Sequence, residues 1–317
     1  MCITVPRLTV GLPVYNGARF VGKAIESILA QTFMDLELDI SDNASTDETE
    51  EICRRYTEKD KRVHYDRNEK NIGAAPNYNR LFEASKSEYF KWAAHDDALA
   101  PEYLMQCVKV LDSDPSVAVC HTDTVYVDPE TQQTLEQYDG YDDLLDLRSP
   151  EPHVRFGNYL FRPHKGPIRW NAIFGVMRAS VLARTPLIGA YVLSDQVLLG
   201  ELALLGKIYR VPEKLFIRGN PYSEVPREKK TYTTRTYAIW FDPRNRGKII
   251  LPKNLRAVFE YLRSIRRVRL CPNERTWCYL YMVRWSYLHL LLIPFENISK
   301  RVVRVLRRLW LRLAVQP

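Results

Sequence analysis

With 317 residues, 46% of them hydrophobic, the chain can bury a full core, which excludes an intrinsically disordered or low-complexity class. Its formal net charge of +8 points to anionic partners and leaves nucleotides, nucleic acid and anionic lipid open. The longest apolar run, near Leu288–Phe295, is far short of the ~20 residues that span a bilayer, and no secretory leader is evident at Met1–Pro6.

Leu8–Leu12 reads as a strand, followed by Phe20, Val21, Ala24, Ile25, Ile28 and Leu29 at helical spacing. Leu36–Ile40 forms the next strand, and Ser45 with Glu48 three residues later is a capping-box signature for a helix through Arg55. Val63–Tyr65 is a short third strand, Pro76–Ala84 a third helix and Tyr89–Ala93 a fourth strand. Strands alternating with helices predict a parallel sheet. A β-rich portion begins at Val117–His121, gives way to a polar stretch from Asp128 to Pro167, and resumes at Trp170–Gly175. Ser194-Asp195 then opens a helix carrying Val197, Leu198, Leu202 and Leu205, where either residue would serve as a plain N-cap.

In parallel sheets ligands bind outside the carboxyl ends of the strands. The residues there are Pro13-Val14-Tyr15-Asn16, Ser41-Asp42-Asn43, Arg67-Asn68 and Asp96-Asp97. Asn or Asp at any one of them is ordinary turn chemistry. A basic residue, a lone acid and an acid pair converging on one rim are the makings of a site that holds a divalent cation against a diphosphate.

These turns, with Ser41–Asp47, Arg67–Gly73 and His95-Asp96-Asp97 in that order, resemble the family 2 glycosyltransferases of GT-A fold. The resemblance is firm from about Arg7 to Leu111 and weaker to about Arg218. It implies an α/β fold with a mostly parallel central sheet flanked by helices, a catalytic domain over 1–225 (a nucleotide-sugar half at 1–97, an acceptor half at 98–225) and a helical extension over 226–317. It further implies that Pro13, Tyr15 and Asp42 line the nucleotide base site, that Asn16 and Asn43 join in binding the nucleotide or donor, with Arg67 nearby and Asn71 and Gly73 on a loop closing over the nucleotide. Asp96 would contact the ribose or assist a Mg²⁺ or Mn²⁺ ion, and Asp97 would bind that ion directly. Gly175 would let sugar or acceptor approach the backbone, and Arg218 would meet phosphate. The family's Arg-x-His segment lacks its histidine here, where Asn220 stands, with Ser223 a further phosphate candidate. Asp195 is the expected base, removing a proton from an acceptor hydroxyl as it attacks a nucleoside-diphosphate sugar with inversion.

From Trp277 onward aromatics interleave with leucines. Over 300–313, Val302, Leu306, Leu309 and Leu313 share one helical face, with no acid after Lys300. That pattern suits a helix on an anionic membrane surface, through 277–317, and equally a helix packed back on the catalytic domain with a solvated basic face. The six cysteines, Cys2, Cys53, Cys107, Cys120, Cys271 and Cys278, lack metal spacing. They read as reduced thiols in a cytoplasmic protein, peripheral on the inner face of the membrane, acting in envelope or other glycan synthesis on a glycan, lipid-linked or other hydroxyl acceptor. Three other classes compete. No helix-turn-helix or RNA-recognition signature supports nucleic-acid binding, and Gly11–Gly17 lacks the G-x-G-x-x-G spacing of NAD enzymes. A nucleotidyltransferase on a similar sheet, or a catalytically silent relative, stays open.

Overall fold

Apolar runs that are buried on both faces become the central strands, and amphipathic runs at 3.6-residue spacing become the covering helices. The order is β1 (Leu8–Val14), α1 (Val21–Leu29), β2 (Leu36–Asp42), α2 (Thr49–Lys59), β3 (Val63–Arg67), α3 (Ala74–Ala84), β4 (Tyr89–Trp92), β5 (Asp97–Leu99), α4 (Tyr103–Ser113), β6 (Val117–Val127) and β7 (Thr134–Tyr138). There follow α5 (Pro152–Leu160), a 3₁₀ helix (Pro167–Phe174), β8 (Val176–Arg178), α6 (Ala179–Leu182), α7 (Ser194–Leu205), β9 (Lys207–Gly219), α8 (Thr234–Phe241), α9 (Lys253–Arg267) and α10 (Pro272–Ser286). The structure, a computed structural model, describes residues 5–127, 134–138, 147–161, 167–219 and 233–292. The basic stretch 300–313, Asn220, Ser223 and the expected domain boundary at 225/226 lie outside these residues.

The sheet has nine strands, ordered β3-β2-β1-β4-β8-β6-β9-β5, with β7 on β6. β3, β2, β1 and β4 are parallel, which is why every residue of β1 is buried. β8 then runs antiparallel between β4 and β6, and β9 returns parallel to β6. Chain order reverses between β1 and β4, so a crevice opens there at the carboxyl ends. At the far edge β5 pairs antiparallel with β9, in a register that sets Asp97 opposite Arg218.

Three local expectations are corrected. Ser45 and Glu48 form no capping box: α2 begins at Thr49 without a side-chain cap, because the Ser45 hydroxyl accepts instead from the Asn16 backbone N–H at 2.9 Å. Trp170–Gly175 does not resume a strand. Its carbonyl at Phe174 accepts from the buried Lys91 ammonium and from the Tyr103 hydroxyl, and the segment winds into 3₁₀ turns ahead of β8. Neither Ser194 nor Asp195 caps α7. Its N-cap is Leu193, held at φ 76°, and the buried Ser194 hydroxyl has no hydrogen-bond partner.

The C-terminal helices are built onto the sheet's own helices. Glu201 of α7 is fully buried and accepts from Arg267 Nε at 2.7 Å, Arg267 Nη2 at 2.8 Å and the Ser264 hydroxyl at 2.6 Å, which fixes α9 on α7. α10 turns Cys278, Met282 and Trp285 inward and lays Tyr281 over Gly157 of α5. Cys53, Cys107, Cys120 and Cys278 are buried free thiols, and the exposed Cys271 caps α10.

Candidate active site

The first two strand ends are laced together by side chains that stop the loops from splaying. Asn16, at φ 51°, accepts from the Thr46 N–H at 2.8 Å, and Asp47 accepts from the Ala18 N–H at 3.0 Å. Pro13 lies within β1 and is buried, whereas Tyr15 just beyond it is 44% exposed, leaving its ring free to stack on a planar ligand. Asp42 is fully buried; its oxygens accept from the Ser45 N–H at 2.8 Å and the Tyr65 hydroxyl at 2.7 Å. Arg67 braces the same corner, donating to the Ser45 carbonyl at 2.8 Å and pairing with Glu50 at 3.0 Å. Asp42 and Arg67 therefore shape the wall of the crevice through these bonds.

A second lattice sits under the closing loop. Asn43 donates to Asn71 at 3.0 Å and to the Gly73 carbonyl at 3.2 Å, and accepts from the Ile72 N–H at 2.9 Å. Asn68 donates to both Asn43 and Asn77, and Asn77 accepts from the Ser41 hydroxyl at 2.7 Å. Buried networks of this kind, with their amides satisfied, hold one loop geometry. Gly73, at φ 93°, is required twice over: the conformation disfavours a side chain, and a Cβ would come within 2.6 Å of the Phe241 carbonyl.

The acid pair divides into two environments. Asp96 is exposed at the rim, while Asp97 is 7% exposed and neither of its carboxylate oxygens accepts a hydrogen bond. Burial pushes the Asp97 carboxyl up to about 7, against the pull of Arg218, whose Nε lies 3.6 Å from Oδ1. Arg218 is itself aimed: it donates to Asn171 at 2.6 Å and lies over the Phe174 ring, and Asn171 is held by Thr124 at 2.7 Å. A buried carboxylate without a hydrogen bond, beside polar loops at the strand ends, fits a divalent cation with oxygen ligands. Below it, Lys91 is fully buried in β4, its ammonium lowered to about 7 by burial and lying 4.9 Å from the Tyr103 ring centre.

Asp195 stands in the first turn of α7. Burial raises its carboxyl above the ordinary range, opposed by backbone N–H groups of Gln196 and of Asp195 itself and by Arg218. The partly buried Tyr78 hydroxyl, raised by desolvation, also feels Asp96, Asp97, Arg218 and Asp195. Arg218 acts on both carboxylates, pairing with Asp97 and lowering Asp195.

Gly175 sits in close packing just ahead of β8. A Cβ there would meet the Cys120 carbonyl at 2.7 Å and Val119 Cγ1 at 2.9 Å, so its missing side chain serves the packing of β8 on β6. Sequence reasoning missed Asn77, Asn171, Tyr65 and Lys91, and took Asn68 only as a turn residue after β3. Asn77 alone left a trace, as a polar residue on the inward face of α3. Glu37, Asp39 and His64 form another group with the spacing to hold a cation, but they lie along β2 and β3 behind the strand tips. The Glu37 carboxylate accepts from Thr9 at 2.7 Å and burial holds Asp39 up at about 6, and neither residue faces the crevice loops.

Solved structures share this architecture. S. aureus TarS 1–349 superposes with a TM-score of 0.62 at 14% identity, covering 89% of this chain and 72% of that one, and the same protein is known with UDP and with UDP-GlcNAc. A mannosyltransferase from Pyrobaculum calidifontis, in complex with GDP-Man and Mn²⁺, superposes at 0.51 with 16% identity, covering 91% and 88%. At such identities the likeness speaks for the fold. Among curated proteins, an uncharacterized glycosyltransferase of Rickettsia typhi is 30% identical over 145 residues, 42% of this chain and 44% of its own. Chondroitin synthase of Escherichia coli and hyaluronan synthase of Pasteurella multocida are each 30% identical over 126 residues, 40% of this chain and 18% and 13% of theirs. The matched stretch spans less than half the length of these relatives. The sequence profile described as Glycosyl transferase family 2 matches residues 9–182, more than half of the chain, and on that match, with a GT-A fold around it, the protein belongs to glycosyltransferase family 2.

Proposed function

We propose that the protein transfers a sugar from a nucleoside-diphosphate donor to an acceptor hydroxyl, with inversion, in the synthesis of a cell-envelope or other polysaccharide. The observation that carries this reading is Asp97, a buried carboxylate with no hydrogen bond to either oxygen, paired at 3.6 Å with Arg218, which also acts on Asp195. TarS binds UDP and UDP-GlcNAc, the archaeal mannosyltransferase GDP-Man and Mn²⁺, and two relatives are named as glycan synthases. In this reading the machinery lies within 1–225. Tyr15 stacks on the base, and the Asn43–Asn71–Gly73 lattice holds the loop over the nucleotide.

Asp97, with help from Asp96, would hold Mg²⁺ or Mn²⁺, which when bound supplies Lewis-acid stabilisation of the departing diphosphate. Arg218 adds fixed positive charge on the same side. Asp195 accepts the proton of the attacking hydroxyl, a role that needs hydrogen-bond reach and an ionised carboxylate. Inversion in one displacement requires no covalent enzyme intermediate. A thermal-shift panel of nucleoside diphosphates and their sugars tests the reading. At least one donor is expected to raise the melting temperature in the presence of Mn²⁺, because a ligand that binds only the folded form stabilises it by mass action. A panel without any shift would argue against the reading.

Peripheral membrane contact belongs to the same proposal. Among the described residues no helix is long and apolar enough to cross a membrane. Trp277, Leu280, Val283, Tyr287 and Leu291 are exposed along α10 and the turn after it, leading toward the basic sequence at 300–313. Co-sedimentation with anionic liposomes is expected for the full chain and not after truncation at Ile298. Equal sedimentation of both would reject the assignment to the tail.

A further inference from the structure

A cavity of about 570 Å³ lies between the loop 186–192 that leads into α7 and the C-terminal helices. That is room for a ligand of several rings. Its charge is one-sided. Lys248, Lys253, Arg256, Arg263 and Arg267 line it with Glu260 as the one acid. Glu260 is shared by Arg256 and Arg263, each at 2.7 Å, and Arg267 is held by Glu201 outside the cavity. Asp242 acts on Lys248 while pairing with Arg244, so three carboxylates stand against six cations and positive charge remains in excess. The backbone adds to it: α9 starts at Lys253 with no side-chain cap and no acid in its first turn, so the positive end of a 15-residue helix opens on the same space.

The cavity is tied to the reaction centre by covalent and hydrogen-bonded links. Its wall residue Tyr191 precedes Asp195 by four residues, which limits their Cα separation to about 15 Å, and the Ser194 N–H folds back on the Tyr191 carbonyl at 3.3 Å. Arg256 lies over the Tyr191 ring, 5.1 Å from its centre. Asn245 pins the loop by donating to the Ala190 carbonyl at 2.9 Å, and Phe241 and Asp242, just before it, back the Gly73 turn of the nucleotide loop. Ile249, 94% exposed, and Leu251 supply apolar surface at the mouth.

We propose that this cavity is an acceptor subsite for an oxyanion, a phosphate or a carboxylate, carried by the acceptor within a short oligosaccharide's length of the hydroxyl presented to Asp195. The proposal rests on the glycosyltransferase reading and names its acceptor class as an anionic glycan. A neutral acceptor would leave the cationic wall without a function, whereas an anionic one is drawn in and oriented by it.

The test is titration calorimetry at low salt with three probes: a glycerol phosphate oligomer, an oligogalacturonate and neutral maltohexaose. The wild type is expected to bind one charged probe at least about tenfold more tightly than the neutral one. Which of the two is preferred separates a phosphate source from a carboxylate source. The double substitution Lys248→Glu, Lys253→Glu should abolish that preference, and Lys253→Gln alone should reduce it. Equal affinity for all three probes in the wild type, or an undiminished preference in the substituted proteins, overturns the proposal. The shift in melting temperature with UDP and Mn²⁺, measured on the same samples, reports on the donor site separately. If neither UDP nor any other nucleoside diphosphate shifts the wild type, the glycosyltransferase reading is refuted, whatever the acceptor probes do.

Discussion

Asp195→Asn is expected to lower kcat by about 10²–10⁴-fold, the usual worth of a positioned general base, while leaving the nucleotide-induced thermal shift intact. The two readouts separate a lost proton acceptor from a lost fold. The pH profile gives a second signature. The base works ionised, and burial raises the Asp195 carboxyl above the ordinary carboxylate range. The wild-type rate should therefore fall as pH drops through that raised value and level off above it. In the asparagine protein this acid limb should vanish. Wild-type turnover by Asp195→Asn would reject the assignment.

Asp97→Asn should have opposite effects on function and on stability. The Mn²⁺-dependent shift with nucleotide is expected to disappear, with activity falling by the several kcal/mol that Lewis-acid stabilisation supplies. The metal-free protein should nevertheless become more stable near pH 8. The sign follows from burial. The Asp97 carboxyl is raised to about 7 in the fold, so the wild type binds more protons folded than unfolded between the ordinary carboxylate range and about 7. Wild-type stability accordingly declines as pH rises through that window, and an amide, which never ionises, escapes the loss. The difference should be on the order of a few kcal/mol at alkaline pH and should close in acid. Chemical denaturation at two pH values measures it. Equal stability at both, with an unchanged Mn²⁺ response, would show that Asp97 is neither strained nor a ligand.

The parallel half of the fold was legible because β1, β2 and β4 are apolar runs of strand length separated by helices with a 3.6-residue stripe. Asn16 lies just beyond β1, Asp42 and Arg67 end β2 and β3, and Asp97 lies beyond β4. What the sequence concealed depends on partners far away in the chain. Ser45 has the spacing of a helix cap and is captured by Asn16, 29 residues earlier. Trp170–Gly175 is apolar enough for a strand, and Lys91, 83 residues before Phe174, takes its carbonyl. Lys91 itself looked like an interruption in a strand, since nothing local announces that two carbonyls and two aromatic rings surround a lysine.

The site was read in the same uneven way. Residue types at strand tips pointed to Asp96 and Asp97, and the family resemblance to Asp195 in the first turn of α7. Arg218 could be chosen from sequence, but its aim at Asp97 is set by the β5–β9 register, which joins segments more than a hundred residues apart. The asparagine lattice of Asn43, Asn68 and Asn77 is likewise a product of topology. The cationic cavity is the extreme case, since its lysines and arginines are ordinary surface charges until α9 packs on α7.

The account stands on one arrangement, a divalent cation held at Asp97 against the donor diphosphate with Asp195 facing it. A crystal of the protein grown with UDP and Mn²⁺ and measured at the manganese absorption edge tests it directly. The account predicts an anomalous peak in direct contact with the Asp97 carboxylate and with diphosphate oxygens, on the side of the crevice facing Asp195. A peak at Glu37, Asp39 and His64 with none at Asp97 would contradict it.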